Sequence, residues 1–415
     1  MIGNVVLRPV RQLSDLVTKG TTPTSLGRPF VARGVTFIKV ETIASDGEFI
    51  AGKEAFIDYE THGLLRRSQL QTGDILFSIA GALGRTTVVK PEWLPANTNQ
   101  AFAIIRPSKR NNVCSRYLLW QLRGSMVQRR IVEINVQAAQ ANLSLEQVRD
   151  FEIPIIARKE QARIADALDD IDALASGLER LISKKRSIKQ GMMQQLLTGQ
   201  TRLPGFSGDW TSLHVASNST LRARIGWQGL TADEYRFDGE HRLVGGTEFS
   251  DGRVDWSRTP FVDRWRYDQD SGIQLREGDV LLTKDGTIGK TAFVDELPGP
   301  CTLNSGVFVI RPTKKAYDSH FLYYMLRSRS FDEFLSRLTA GSTISHLYQR
   351  DLVGLVLDVP PTLEEQHAIV KTLYDADAEL GALRARLSKA QSLKQGMMQE
   401  LLTGRTRLQP VEASS

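Results

Sequence analysis

Apolar residues recur along two stretches of the chain at alternating steps of four and three. Between Glu160 and Leu197 they are Ile164, Leu168, Ile171, Ala175, Leu178 and Ile182; later they are Ile369, Leu373, Ala376, Leu380, Leu383, Leu387 and Ala390. A narrow heptad seam of this kind predicts a long helix in a coiled coil. At 1.5 Å per residue, each stretch of about 38 residues makes a rod of roughly 57 Å. Both predicted helices stop at the same signal. Thr198-Gly199 and Thr403-Gly404 offer a glycine for a left-handed C-cap, and Pro204 and Pro410 follow. Acidic residues lead in each helix (Asp166, Asp169, Asp170, Asp172; Asp375, Asp377, Glu379). Basic residues trail (Arg180, Lys184, Lys185, Arg186, Lys189; Arg384, Arg386, Lys389, Lys394). Acid-first order suits the helix dipole, and it also predicts antiparallel pairing, which sets acid against base at both ends.

Ahead of the first helix the period shortens. Gly34–Val40, Asp74–Ala80, Thr86–Lys90 and Ala101–Arg106 read as short strands bounded by Gly, Pro and Asn, and Ser115–Ile134 reads as a helix or helix pair. Phe151–Pro154 and Leu355–Pro360 return to extended chain, closed by prolines that force their predecessors out of helix. The predicted fold class is α/β (α+β): two compact globules alternating with two long helices that form an antiparallel coiled coil.

The alternation reflects an internal repeat, which outranks any single element. Lys189–Leu203 (KQGMMQQLLTGQTRL) and Lys394–Leu408 (KQGMMQELLTGRTRL) share 13 of 15 residues at an offset of 205. The same offset pairs Glu160-Gln161 with Glu365-Gln366, Asp46-Gly47 with Asp251-Gly252, Phe56 with Phe261, and Gly73-Asp74 with Gly278-Asp279. It also pairs Gly84 with Gly289, Asn99 with Asn304, and Arg106-Pro107 with Arg311-Pro312. The expected domains are a first globule over 1–155, a helix over 156–203, a second globule over 204–361, a helix over 362–408 and a tail over 409–415. The helical parts are nearly identical, which suits two copies of one partner, or helices that pack on each other. The globules have diverged, which suits two different ligands.

Composition narrows the function. The 415 residues carry 53 basic and 47 acidic side chains, a formal charge of +6, and the sequence pI is near 9.2. That is compatible with nucleic acid without demanding it. No apolar run approaches the roughly 18 residues of a membrane span, and Arg8 and Arg11 interrupt the start, so the expected location is cytoplasmic. Cys114 and Cys301 are too far apart for a CxxC zinc site.

Enzyme motifs are missing. Gly286–Thr291 imitates the end of a phosphate-binding loop, but Lys284 stands where the first glycine must be, and Gly81–Thr86 lacks the lysine. No acidic residue stands two positions before any lysine, Val359-Pro360-Pro361-Thr362 lacks both ends of an Asn-Pro-Pro-aromatic motif, and the six histidines form no HExxH. No catalytic residue and no metal site is expected.

Recognition remains. The turns ending at Arg85 and Lys290 each follow a predicted strand, and a GxxG turn with exposed amides beside a cation can approach a phosphate, the side chain being free for a phosphate or a guanine edge. Other cations expected to face DNA are Lys39, Lys53, Arg66 and Arg67 in the first globule and Arg253, Arg258, Arg264, Arg266 and Lys284 in the second. Trp256, Trp265 and Tyr267 lie among the latter, placed to pack on sugar or base or to fill the core.

Two divergent globules, each followed by a proline and an EQ-initiated helix ending in KQGMMQxLLTGxTRL, resemble the specificity subunit of type I restriction-modification systems. The resemblance runs from about Val5 to Leu408 and rests most on Ile153–Gln161 (IPIIARKEQ), Val359–Gln366 (VPPTLEEQ) and the two LLTG-x-TRL ends; Ile155-Ile156 departs from the usual second proline. It implies that each globule is a target recognition domain reading one half of a bipartite, asymmetric site in double-stranded DNA, with the helices as a ruler for the spacer. It further implies two methyltransferase subunits docked on the repeats and restriction subunits joining them. S-adenosylmethionine, ATP and magnesium would then sit on the partners and no cofactor on this chain. A methylation-only system, or a coiled-coil scaffold whose globules bind protein or carbohydrate, are the alternatives.

Overall fold

The computed structural model describes residues 6–111, 113–136, 142–225, 229–339 and 346–408; Pro410 and the tail lie outside the described residues. Two helices of 39 residues, Arg158–Leu196 and Leu363–Leu401, fall on the heptad stretches. Their glycine stops, Gly199 and Gly404, have φ of 69° and 72°, the left-handed cap that a side chain would strain. Ile164, Leu168, Ile171, Ala175, Leu178 and Ile182 are all buried, as are Ile369, Leu373, Leu380, Leu383 and Ala390; Ala376 and Leu387 are half-buried.

The chain divides into two compact units, Met1–Glu179 with Ala385–Ser415, and Arg180–Arg384. The division cuts both long helices, so each unit holds the first part of one and the last part of the other.

In unit 1 a four-stranded antiparallel sheet has the order Ser14–Lys19, Phe102–Pro107, Ile75–Ser78, Thr86–Val88. The second strand is a continuous apolar run because both of its faces are covered. Ala103 and Ile105 join Ile75 and Phe77 against the helix pair Ser115–Arg123 and Ser125–Val136, through Leu118, Leu122, Val127 and Ile131. Phe102 and Ile104 join Leu76 on the other face, against Ile38, Val89 and Trp93. A smaller sheet places Val35–Ile38 antiparallel to Ala55–Ile57 and parallel to Ala96–Thr98. Val6–Pro9 pairs with Glu152–Ile155 just before the long helix.

Unit 2 repeats the plan. Its main sheet runs Ser219–Ala223, Val307–Pro312, Val280–Thr283, Thr291–Phe293, Arg253–Val254, Phe249–Ser250, and its smaller sheet sets His241–Val244 between Phe261–Val262 and Cys301–Leu303. Thr211–His214 pairs with Val356–Val359.

The matched sequence pairs meet in space. Arg106 makes two hydrogen bonds to Asp74, at 2.7 and 2.8 Å, and Arg311 makes two to Asp279, at 2.6 and 2.7 Å. Both carboxylates are fully buried, and each also accepts a backbone amide, from Gln71 or Arg276. Gln161 Oε1 accepts from the Cys114 amide and Gln366 Oε1 from the Asp318 amide, both at 2.8 Å, so each glutamine ties its long helix to the shorter helix pair. In unit 1 Lys394 pairs with Asp172, Gln391 donates to Glu179 at 3.1 Å, and Arg407 pairs with Glu160 at 3.3 Å. In unit 2 Lys189 pairs with Asp377, Lys185 with Glu379 at 2.7 Å, and Arg202 clasps Glu365 through two bonds.

One further cluster in unit 2 titrates. His320 stacks on Phe293 with centroids 3.7 Å apart and touches Tyr323, Tyr324 and Tyr374, while Asp318, Arg253 and Asp377 are the charged groups around it. Burial holds its pKa below the usual value of 6.5.

Two outcomes follow. Asp74→Ala leaves the Arg106 guanidinium without its counter-charge and should cost about 3 kcal/mol in urea unfolding, and adding Arg106→Met should restore part of it. An unchanged midpoint for the single variant would show that the pair is not structural. For His320 the folded pKa is depressed, so its contribution is complete above about pH 6.5 and is lost as pH falls through that value toward the folded pKa. His320→Phe should therefore lose less melting temperature between pH 7 and 5.5 than the parent chain. An equal loss in both would contradict the assignment.

Candidate nucleic-acid interface

The two GxxG turns share one construction. Ser78 and Thr283 end buried strands, and each hydroxyl donates back to the turn, to the carbonyls of Ala82 and Thr287, while accepting from the amide of Arg85 or Lys290. The amides of Gly84 and Gly289 close on the carbonyls of the same Ser78 and Thr283. A side chain at Gly84 would press on Gln128 and Ile131, and one at Gly289 on Leu335, so these turns are tight because a helix lies against them.

The amides of Gly84 and Arg85, and of Gly289 and Lys290, are spent inside the hairpin, which leaves the exposed Gly81-Ala82 and Gly286-Thr287 at the tips. Arg85, expected to face DNA, is bonded within the chain instead. Its Nη1 donates to the carbonyls of Val40, at 3.1 Å, and Ile43, pinning the loop before Phe49 to the hairpin rather than facing outward. Lys290 is exposed and has no ion-pair partner among the described residues.

The remaining cations divide in the same way. Arg266 is held by Glu234 through bonds of 2.6 and 2.8 Å, and that guanidinium, with the Thr231 amide, holds the Glu234 carboxyl at about 2. Arg266 is therefore corrected from a DNA-facing cation to a loop anchor. Arg253 pairs with Asp295, and Arg264, though exposed, pairs with Asp268 at 3.2 Å. Lys39 lies 4.6 Å from the Phe30 ring centre and Lys284 5.5 Å from that of Phe308, both half-buried. Lys53, Arg66, Arg67 and Arg258 are exposed and have no carboxylate partner among the described residues, and Arg67 donates only to Thr21 at 3.5 Å. Trp256 packs at the edge of a core, whereas Trp265 is exposed and lies under Arg266.

Sequence reasoning missed Arg224, the most buried cation. Its guanidinium donates to the Leu303 carbonyl at 2.8 Å, the Gln269 side chain at 3.0 Å and the Thr302 hydroxyl at 3.2 Å; burial first, and then the neighbouring Arg266, lower its pKa. It also missed Lys19 and Gln100, exposed at the edge of unit 1 beside Arg67; the one sequence signal was the match of adjacent Asn99 with Asn304. Among the described residues no group of His, Cys, Asp and Glu could hold a metal ion, and no helix is long and apolar enough to cross a membrane.

The model of the type I restriction modification DNA specificity domain matches residues 9–189 and again 234–390. The chain belongs to that family. It is 25% identical over 391 residues to a putative type I restriction enzyme specificity subunit, MjaX, of Methanocaldococcus jannaschii, covering 90% of this chain and 88% of the relative. The EcoBI specificity subunit of Escherichia coli is 26% identical over 188 residues, 45% of this chain and 38% of that one. Among solved structures, the type I restriction-modification S subunit from M. genitalium superposes with a TM-score of 0.63 at 14% identity, covering 96% and 97% of the two chains. A chain from a study of assembly in the type I system gives 0.57 at 18%, covering 97% and 98%. The fold described above is therefore that of the family's specificity subunits.

Within this family member the two turns should respond differently to mutation. Arg85→Ala removes two charge-assisted bonds to backbone and should cost about 2 kcal/mol of stability, whereas Lys290→Ala should melt with the parent chain and weaken binding to duplex DNA. Equal melting of both variants would restore Arg85 to the list of free cations.

Proposed function

We propose that this chain is the DNA-specificity subunit of a type I restriction-modification system and reads a bipartite, asymmetric site, one half with each unit. The carrying observation is that one chain holds the specificity domain twice, on matched strand frames whose exposed side chains differ. Divergent readers suit a non-palindromic site; repeated helices suit two copies of one partner. The chain acts without a catalytic residue of its own: methyl transfer to adenine with S-adenosylmethionine, and ATP- and magnesium-dependent cleavage, belong to the methyltransferase and restriction subunits that dock on it.

The long helices are the ruler. Antiparallel pairing is supported by the order of their contacts, since Asp172 meets Lys394 while Glu179, further along, meets Gln391. The same order holds for Lys185 with Glu379 and Lys189 with Asp377. Duplication at an offset of 205 is supported by ion pairs that recur at that spacing.

Mapping N6-methyladenine in the source cell, with the gene intact and deleted, tests the reading. One gapped motif should vanish on deletion; a methylome unchanged by deletion, together with salt-insensitive binding to duplex DNA, would favour a scaffold. Inserting one heptad in each long helix adds about 10 Å and should lengthen the spacer by about 3 base pairs with both half-sites intact. Altered half-sites with an unchanged spacer would sink the ruler.

A further inference from the structure

Three separate segments of unit 1 meet at one corner: Lys19–Thr22 at the end of a strand, the Arg66–Ser68 turn, and Asn99-Gln100. The fold forces this meeting. Gly20 leaves no room for a Cβ against the carbonyls of Thr98 and Asn99, and the Thr21 amide donates to the Thr98 carbonyl at 3.1 Å, so the first segment lies directly on the third. The second is braced from beneath. Buried Asn97 donates to the Leu65 carbonyl at 3.2 Å and to Ser68 Oγ at 3.1 Å, and His62 and Gln69 complete that network.

What the corner presents is cationic and polar. Lys19, Arg66 and Arg67 are exposed, and none has a carboxylate partner among the described residues. Arg67 leans on the Thr21 hydroxyl. Gln100 is exposed and its Oε1 accepts from the Thr22 hydroxyl, which fixes the amide with its Nε2 donors turned to no protein acceptor among the described residues. Cations such as Arg28, Lys90 and Arg116 are held by acids; here three cations without an acidic partner stand around an oriented amide. In unit 2 the cation that follows the corresponding strand is Arg224, and it is buried in its own protein rather than presented.

We propose that this corner reads bases of the half-site bound by unit 1, with Gln100 and Arg67 on base edges in the major groove and Lys19 and Arg66 on flanking phosphates. The inference rests on the DNA-specificity reading and goes on to name the reading residues. An amide held as a donor selects acceptor edges, guanine N7 and O6, thymine O4 or adenine N7, and a guanidinium selects guanine. A brace of buried hydrogen bonds and a glycine contact keeps the donors in place before DNA arrives, which is what discrimination needs. Duplex DNA is the occupant that matches unpaired cations beside a fixed donor.

The test uses the full chain with its methyltransferase partners, mapping modified sites by sequencing and measuring duplex binding at two salt concentrations. Gln100→Glu replaces donors by acceptors at nearly constant shape, at an exposed position, so the variant should melt like the parent. It should lower modification of the native half-site about 10- to 100-fold and shift preference at one position toward a base with an exposed amino group, with the other half-site and the spacer unchanged. Arg67→Ala should relax preference at a neighbouring position. Lys19→Ala and Arg66→Ala should weaken binding to all sequences alike, each reducing the salt slope by about 1.

If Gln100→Glu and Arg67→Ala both leave every base preference unchanged while the parent chain yields a gapped motif, the assignment of this corner is overturned and the functional reading stands. Uniform weakening by all four variants would make the corner a phosphate contact and overturn base reading. A parent chain with no gapped motif would instead overturn the functional reading itself.

Discussion

Each unit is closed by a lysine from one long helix set against an aspartate of the other. Lys394 sits between Asp172 and the Trp120 ring, 5.3 Å from its centre; Lys189 sits between Asp377 and the Tyr324 ring, 5.7 Å away. Trp120 Nε1 and Tyr324 Oη also donate to acids of the opposing helix start, Asp169 and Asp377. Burial pulls the Lys189 pKa down while Asp377 pushes it up. An ammonium taken out of water loses several kcal/mol of hydration, so this position requires the carboxylate and ring that only the other helix and the adjacent globule supply. Within each unit the lysine thereby fixes which acid of the other helix lies beside it.

That contact also explains much of the repeat. Lys189, Arg202 and the buried leucines of LLTG pack within unit 2, and Glu160 and Gln161 are consumed by Arg407 and the Cys114 amide in unit 1. Packing does not account for Gln190, Gly191 and Gln194 or for Gln395, Gly396 and Gln399, which are identical in both copies and exposed. Helical glycines with nothing around a would-be Cβ cost about 1 kcal/mol each, and the chain's own core does not account for them.

The long helices were legible because 39 residues of uniform period leave little ambiguity, and the strand Phe102–Pro107 because a continuous apolar run between turn residues means burial on both faces. Asp74 and Arg106 were visible only as scattered identities. That they are partners depends on the strand register, which sets Ile75 beside Ile105 and so brings their chain neighbours together. The strand Ala96–Thr98 carries no pattern at all: Asn97 and Thr98 are polar and fully buried, their side chains donating to the distant carbonyls of Leu65 and Ile38. At the interface, charge alone marked Arg85 and Arg266 as equal to Arg66 and Arg67. Their roles separate only when the carbonyls of Val40 and Ile43 and the carboxylate of Glu234 fall within reach, and no spacing rule anticipates contacts made across 32 to 45 residues of strands and connecting loops.

The division of the chain has a temporal side. Unit 2 is one continuous segment, Arg180–Arg384, whereas unit 1 is assembled from Met1–Glu179 and residues that begin only at Ala385. During synthesis unit 2 can finish packing while unit 1 still lacks Lys394, Leu401 and Leu402 from its core. Closing unit 1 means joining ends separated by an already folded insert rather than by some 200 residues of loose chain, which lowers the entropy of closure. The half emerging first from the ribosome is thus the half completed last, and until then its heptad seam is an open surface that a second copy of the repeat could occupy.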